Sequence, residues 1–296
     1  MSNFIKIILV FVLILSIKMP VCAHYGKYEK EMQMAEGLLN QSREDAAIAV
    51  YNALIMKSPN YYPAQLALAT VYARQAKYVQ AEKIILKVLN NNKKDANAYE
   101  RLAYLYYLWA DANKESATHF LKKGLEAIKK AIELDKYNEQ IYNTYGLILI
   151  EYKEYQDALK SFNKAIDINP SSQEAFTNLG VLYTRLEKYD IALSNFQRAI
   201  HIKTSYSRPY RELSIMLAQT NQERQAIEYL EKARFHDIFI TYQDHYLMAT
   251  LQEKMGNLKQ AINEFLDVLI QKPDYIDCYT HIARLAEALG DDKMSV

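Results

Sequence analysis

Glycine and proline are scarce in this chain, 7 and 6 among 296 residues, which argues against disorder and against many tight turns. Cysteine is scarcer still. Of Cys22 and Cys278, the first falls in a leader-like segment, so a processed chain keeps one thiol and forms no internal disulfide; packing alone must hold it. Cys278 reads as a small, semi-buried helix residue. Excess charge is also missing. Lys plus Arg number 36 against 35 Asp plus Glu, so no global field draws the chain to nucleic acid or anionic lipid. Pairs such as Lys122-Lys123 and Lys129-Lys130 lie among acids and read as solvated helix faces. What the chain does contain is apolar residues, 50% of the total, enough for a packed and largely helical protein.

The N-terminus differs from the rest. A nearly wholly apolar run over 7–17 follows Lys6 and leads to Val21-Cys22-Ala23, the order of a secretory signal peptide occupying 1–23 and cut after Ala23. The run is about half of the roughly 20 residues a spanning helix needs, and Lys18 shortens it further. An uncleaved anchor is therefore the less suitable alternative. Met19-Pro20-Val21 ahead of Cys22 departs from the small residues that precede a lipid-modified cysteine. Cleavage leaves 34 basic and 35 acidic residues. The expected product is exported, periplasmic or secreted, and meets a membrane only through an uncleaved N-terminus or a partner. Asn40-Gln41-Ser42 is a glycosylation triplet that matters only on a eukaryotic route.

Beyond the leader the sequence repeats. A small residue recurs as Ala47, Ala81, Gly124, Ala158, Ala192, Ala226 and Ala261, at intervals of 34, 43, 34, 34, 34 and 35. Four residues after each stands a large apolar one: Tyr51, Ile85, Ile128, Phe162, Phe196, Leu230 and Phe265. Four residues make about one helical turn, so the pair shares a face. Tyr142, Tyr145 and Gly146 likewise recur 34 residues on as Phe176, Leu179 and Gly180.

This pattern resembles the tetratricopeptide repeat: an aromatic, Leu-Gly, Tyr, then Ala-x3-Phe and a closing Pro. Phe176, Leu179, Gly180, Tyr183, Ala192, Phe196 and Ala199 fall in place, while Thr204 stands where Pro170 closes the preceding repeat. Pro59 and Pro273 close two others. The resemblance implies an all-α fold, a right-handed superhelical solenoid of antiparallel helix hairpins. Seven repeats are expected at 28–61, 62–95, 96–138, 139–172, 173–206, 207–240 and 242–275, with a capping helix and tail over 276–296. Helices of about 13 residues are marginal alone in water, so each hairpin needs a neighbour over its apolar face. Small residues mark the closest approaches, and most of the 25 tyrosines, among them Tyr142, Tyr183, Tyr189 and Tyr210, take packing or turn positions. The last helix, with Arg284 and Glu287 on one face, is expected to offer solvent a polar end, and Gly290 to cap it in the left-handed region.

One repeat breaks the period. Between Ala103 and Gly124 it carries nine extra residues near Trp109, which must lengthen the hairpin or bulge its turn; such insertions map to one face, as tolerated loops or binding elements. Trp109 is the chain's one tryptophan.

Catalytic groupings are missing. There is no Gly-rich phosphate loop, no His-Glu-x-x-His helix, no Gly-x-Ser-x-Gly elbow and no cysteine pair for a metal. The six histidines are scattered and read as surface or satisfied residues. Neither a catalytic centre, a cofactor nor a metal is expected.

The family resemblance implies a concave surface lined by the first helix of each hairpin, where protein or peptide partners lie. Counting from the repeat starts, the second, fifth, sixth and ninth residues should face inward. They include Arg101, Tyr104, Asn143, Thr144, Asn178, Arg208, Arg211 and Tyr246. Amides could bond a peptide backbone, arginines its carboxylates, and tyrosines its apolar side chains. The family's chaperone-tail clamp matches only in part, with Asn143, Leu147, Asn178 and Arg208 at its positions, and the asparagine ladder of sugar-transferring relatives is absent from the sixth positions. The expected function is that of an exported adaptor holding partners during bacterial envelope assembly. A pilotin-like pilus factor and a non-catalytic recognition subunit of a transferase or peptidase are the alternatives.

Overall fold

The computed structural model describes residues 28–40, 43–236 and 240–290. The leader 1–23, Gln41-Ser42 of the glycosylation triplet and the tail from Asp291 lie outside them. Among the described residues there are fifteen α-helices and no strand. They pair as antiparallel hairpins α1 (Glu29–Asn40) with α2 (Glu44–Lys57), α3 (Tyr62–Arg74) with α4 (Tyr78–Asn91), α5 (Ala96–Ala112) with α6 (Ala117–Leu134), and α7 (Glu139–Glu151) with α8 (Tyr155–Ile168). They continue as α9 (Gln173–Arg185) with α10 (Tyr189–Ile202), α11 (Arg208–Gln219) with α12 (Glu223–His236), α13 (Tyr242–Lys254) with α14 (Leu258–Gln271), and the unpaired α15 (Ile276–Ala288). Each helix packs on its hairpin partner and the next helix in the chain, and successive first helices touch from α3 to α13. The core is accordingly a string of adjoining apolar clusters.

The recurring small-and-large pairs build that string. Ala158 with Phe162, Ala192 with Phe196, Ala226 with Leu230 and Ala261 with Phe265 are all fully buried. Within a hairpin the large residue needs an opening opposite. Gly146 supplies it for Phe162 and Gly180 for Phe196, where an added Cβ would meet the ring carbons well inside contact distance.

The turns inside the hairpins also recur. Ala76, Lys153, Glu187, Asn221 and Gly256 all have φ between +56° and +77°, the left-handed cap that closes a helix. The amide after each reaches five residues back, as in Lys77 N–H to Tyr72 O at 2.8 Å and Lys188 N–H to Tyr183 O at 2.9 Å. Only one of these five is glycine, so this turn is invisible to a search for glycine. Four of the first helices start on side-chain caps: Asp95 accepts from Ala98 N–H, Asn138 from Gln140 N–H, Ser172 from Ala175 N–H, and Thr241 forms a reciprocal box with Asp244.

The nine-residue insertion lengthens both helices of its hairpin to 17 and 18 residues, joined by a 3-10 turn over Lys114–Ser116 that Asn113 caps. Trp109 is partly buried there. It stacks on Phe120 at 4.3 Å and on Tyr78 of the preceding hairpin at 5.5 Å, which fixes the longer hairpin against its neighbour.

Two expectations at the C-terminus need correction. Cys278 is fully buried rather than semi-buried, and burial pushes its thiol up to about 11, so it is a packing residue. The outer face of α15 is not wholly polar, because Ile276 and Tyr279 are 76% and 53% exposed. Gly290 does adopt the left-handed cap, at φ +70°.

Candidate functional site

The eight residues expected in the groove divide by what they touch. Asn143, Thr144 and Asn178 are fully buried, a correction to their expected place on an open inner surface. Neighbouring first helices pack closely, so fifth and sixth positions fall into the seam between helices. In that seam Thr144 donates to Glu100 Oε1 at 2.6 Å, Asn178 reaches Asn143 Oδ1 at 3.5 Å, and Arg208 donates to Asn178 Oδ1 at 2.8 Å. Arg211 forms a two-pronged pair with Asp244, Nε to Oδ1 at 2.5 Å and Nη2 to Oδ2 at 3.0 Å. Tyr246 packs edge-on against Phe265 and Tyr275. Tyr104 is partly buried and stacks on Tyr107 at 6.1 Å. Arg101 is 39% exposed along its side chain, with Nε 3.5 Å from Glu100 Oε2.

These bonds form a ladder between hairpins whose rungs follow the repeat. Gln140 to Glu174 and Arg185 to Glu151 are separated by 34 residues, Arg211 to Asp244 by 33. Where the ladder crosses the long hairpin the step grows: Asn138 to Asn97 and Lys123 to Glu82 span 41, Thr144 to Glu100 spans 44. Most buried polar groups are bonded, and in a repeat array the partner at the right height lies one period away; among the described residues of this seam Asn143 Nδ2 is the buried donor left without one. Glu100 sits wholly inside this ladder. Burial raises its pKa, against the Arg101 charge and the Thr144 bond that lower it.

The remaining ionic clusters also link hairpins. Arg234 donates twice to Glu264, at 2.8 and 2.7 Å, and His245 Nδ1 lies 2.7 Å from the same carboxylate. Burial pushes the Glu264 carboxyl up, but these bonds hold it below the usual range. His245, Glu264 and Asp267 could present three ligand atoms to a metal ion, yet the Arg234 guanidinium already occupies the Glu264 carboxylate and contacts His245 Nδ1 at 3.2 Å. A cation would have to displace it.

An open cavity remains on the inner side of hairpins one to three. Its volume is about 520 Å³, within the range of ligand sites, and Met32, Glu36, Tyr62, Leu66, Asn97 and Arg101 are among its lining residues. No motif in the sequence marks it, since three hairpins and two connecting loops each supply a part. It could have been found by aligning the second, fifth, sixth and ninth positions of the first three repeats. Among the described residues no helix is long and apolar enough to cross a membrane.

Models of the tetratricopeptide repeat match 38–103, 146–187 and 173–206. Among curated proteins none matches the chain. Similar solved structures include a tetratricopeptide repeat protein from Parabacteroides merdae, 17% identical, with 88% of this chain and 98% of that one covered and a TM-score of 0.58. A chain of the APC/C hetero-tetramer Cut9–Hcn1 is 12% identical, with 93% and 53% covered and a TM-score of 0.70. PilW, a type IV pilus biogenesis factor, is 19% identical, with 74% and 97% covered and a TM-score of 0.56. At such identities the likeness lies in the fold alone. Tetratricopeptide repeats are therefore recognised over 38–103 and 146–206, and the solved structures share the helical solenoid fold over most of the chain.

Proposed function

We propose that the chain is an exported, non-catalytic adaptor that holds partner proteins or peptides along the inner face of its first helices, in the assembly of a bacterial envelope. The observation that carries this reading is the inner face itself: a continuous surface across stacked hairpins, with an open, part-apolar cavity at one end. No cofactor or nucleic acid has a part in it. Export rests on the leader, and the envelope role is an analogy with pilus factors of the same fold. That likeness also favours a narrower reading as a pilus biogenesis factor; the absent lipidation box counts against a lipid-anchored version.

Site-specific photo-crosslinking in the native host tests the reading. Photoreactive residues at half-buried Glu174, at the second position of its repeat, and at exposed Lys164 and Gln197 on second helices probe opposite faces. A discrete partner crosslinking from 174 and not from 164 or 197 supports the inner face. Crosslinks of equal yield from all three positions contradict it. The same sample tests export, because the purified protein should begin at His24.

A further inference from the structure

We propose that the cavity across the first three hairpins is a subsite for one apolar side chain of an extended peptide carrying a basic residue on its hairpin-one side and an acidic residue on its hairpin-three side. This rests on the inner-face reading above and names the chemistry of its ligand. The apolar part of the wall is made by Met32 from α1 and by Tyr62, Pro63, Leu66 and Ala67 from α3. Around it stand Asn60, Asn92 and Asn97; Asn92 is engaged by Asp95 and Lys94 and the Asn97 oxygen by Asn138, so the Asn60 amide and the Asn97 Nδ2 donor are the groups that meet an extended backbone.

The charges are arranged along the array. Glu36 lies on α1 in the first hairpin and Arg101 on α5 in the third; the other lining carboxylate, Asp95, is turned to the Ala98 N–H and Asn92 Nδ2 as the cap of α5, and Arg101 keeps Glu100 at 3.5 Å on one side. Glu36 is exposed and Arg101 part-exposed, so both are accessible to a ligand. A ligand crossing from one to the other meets a carboxylate first and a guanidinium last, and like charges at those ends are repelled. Two spacings of about 8–10 Å or more separate α1 from α5, so an extended chain needs at least about five residues to cross. A short linear segment therefore spans the site.

Blocked pentapeptides test this by titration calorimetry on the full protein. The probes are Lys-Ala-Leu-Ala-Glu and its reverse Glu-Ala-Leu-Ala-Lys, covering both chain directions, with Lys-Ala-Ser-Ala-Glu, its reverse Glu-Ala-Ser-Ala-Lys, and Glu-Ala-Leu-Ala-Glu as controls. One mixed-charge leucine peptide should bind saturably and at least about tenfold tighter than its serine counterpart, the loss expected for an unburied leucine. Ala67→Phe, which fills the cavity from a half-exposed position, should weaken binding about tenfold. Glu36→Lys, at an exposed position, should make the peptide with two glutamates the tighter ligand. Absence of saturable binding, equal binding of leucine and serine peptides, or an unchanged preference in Glu36→Lys overturns the proposal. If Ala67→Phe does not fold, the Glu36→Lys reversal decides alone. Failure here with crosslinking from 174 intact removes this subsite and leaves the inner-face reading standing.

Discussion

The ring of Phe162 in α8 fills the space left by the missing side chain of Gly146 in α7: a Cβ there would lie 2.6 Å from Cζ and 2.8 Å from Cδ1. Phe162 is fully buried, so the ring has nowhere to go. Overpacking costs about 1–3 kcal/mol and outweighs the roughly 1 kcal/mol of helix propensity gained from alanine. Gly146→Ala and Gly180→Ala should each lower the denaturation midpoint. Gly37→Ala should raise it, because nothing lies within 4 Å of a Cβ at that helical position. Urea titrations of the three variants check the opposite signs.

The left-handed turns give a second set. Lys153 and Glu187 hold φ of 61° and 58°, a region costing a side chain about 1 kcal/mol that glycine does not incur. Lys153→Gly and Glu187→Gly should each stabilise the array by up to about 1 kcal/mol, whereas Lys164→Gly, inside α8, should cost about 1 kcal/mol. Thermal melts distinguish these outcomes.

Glu100 makes stability depend on pH. Burial raises its folded pKa above the ordinary 4.5, so the native state binds more protons than the unfolded state in the range above that value. Stability therefore falls as pH rises through that range. Glu100→Gln keeps an acceptor for Thr144 and should flatten this part of the profile while raising stability at neutral pH. Denaturation of both proteins across the range measures it.

Breaking the Arg211 pair should cost far more than breaking an exposed one. Asp244 is 2% exposed, and Asp244→Asn removes the carboxylate that two guanidinium nitrogens of Arg211 address and that closes the α13 capping box, a loss of about 2–3 kcal/mol. Asp157→Asn, which removes the exposed partner of Lys160, should leave stability nearly unchanged. A double-mutant cycle with Arg211→Met separates the pairing from the helix cap.

The contrast between Phe162 and Asn178 shows what a sequence can carry. Phe162 recurs as Phe196 one period later, and each has its alanine four residues before it, so the packing register is written in residue types. Asn178 has the polarity of a ligand-binding residue, but its surroundings are set by Asn143 and Arg208 on neighbouring hairpins. Periodicity tells which way a side chain points and not how closely the next helix approaches. For the same reason the charge of Arg211 was legible and its capture by Asp244 was not. The insertion after Ala103 was visible as nine residues; its division between two longer helices depends on the stacking of Trp109 on Phe120 and Tyr78.

Hydrogen exchange of the array with and without the partner recovered by crosslinking tests the central claim most directly. Binding along the inner face should slow exchange in the first helices of successive hairpins, α3, α5, α7 and α9, and leave the outer faces of α4, α6, α8 and α10 unchanged. Protection confined to the second helices, or to the exposed end of α15, would contradict it.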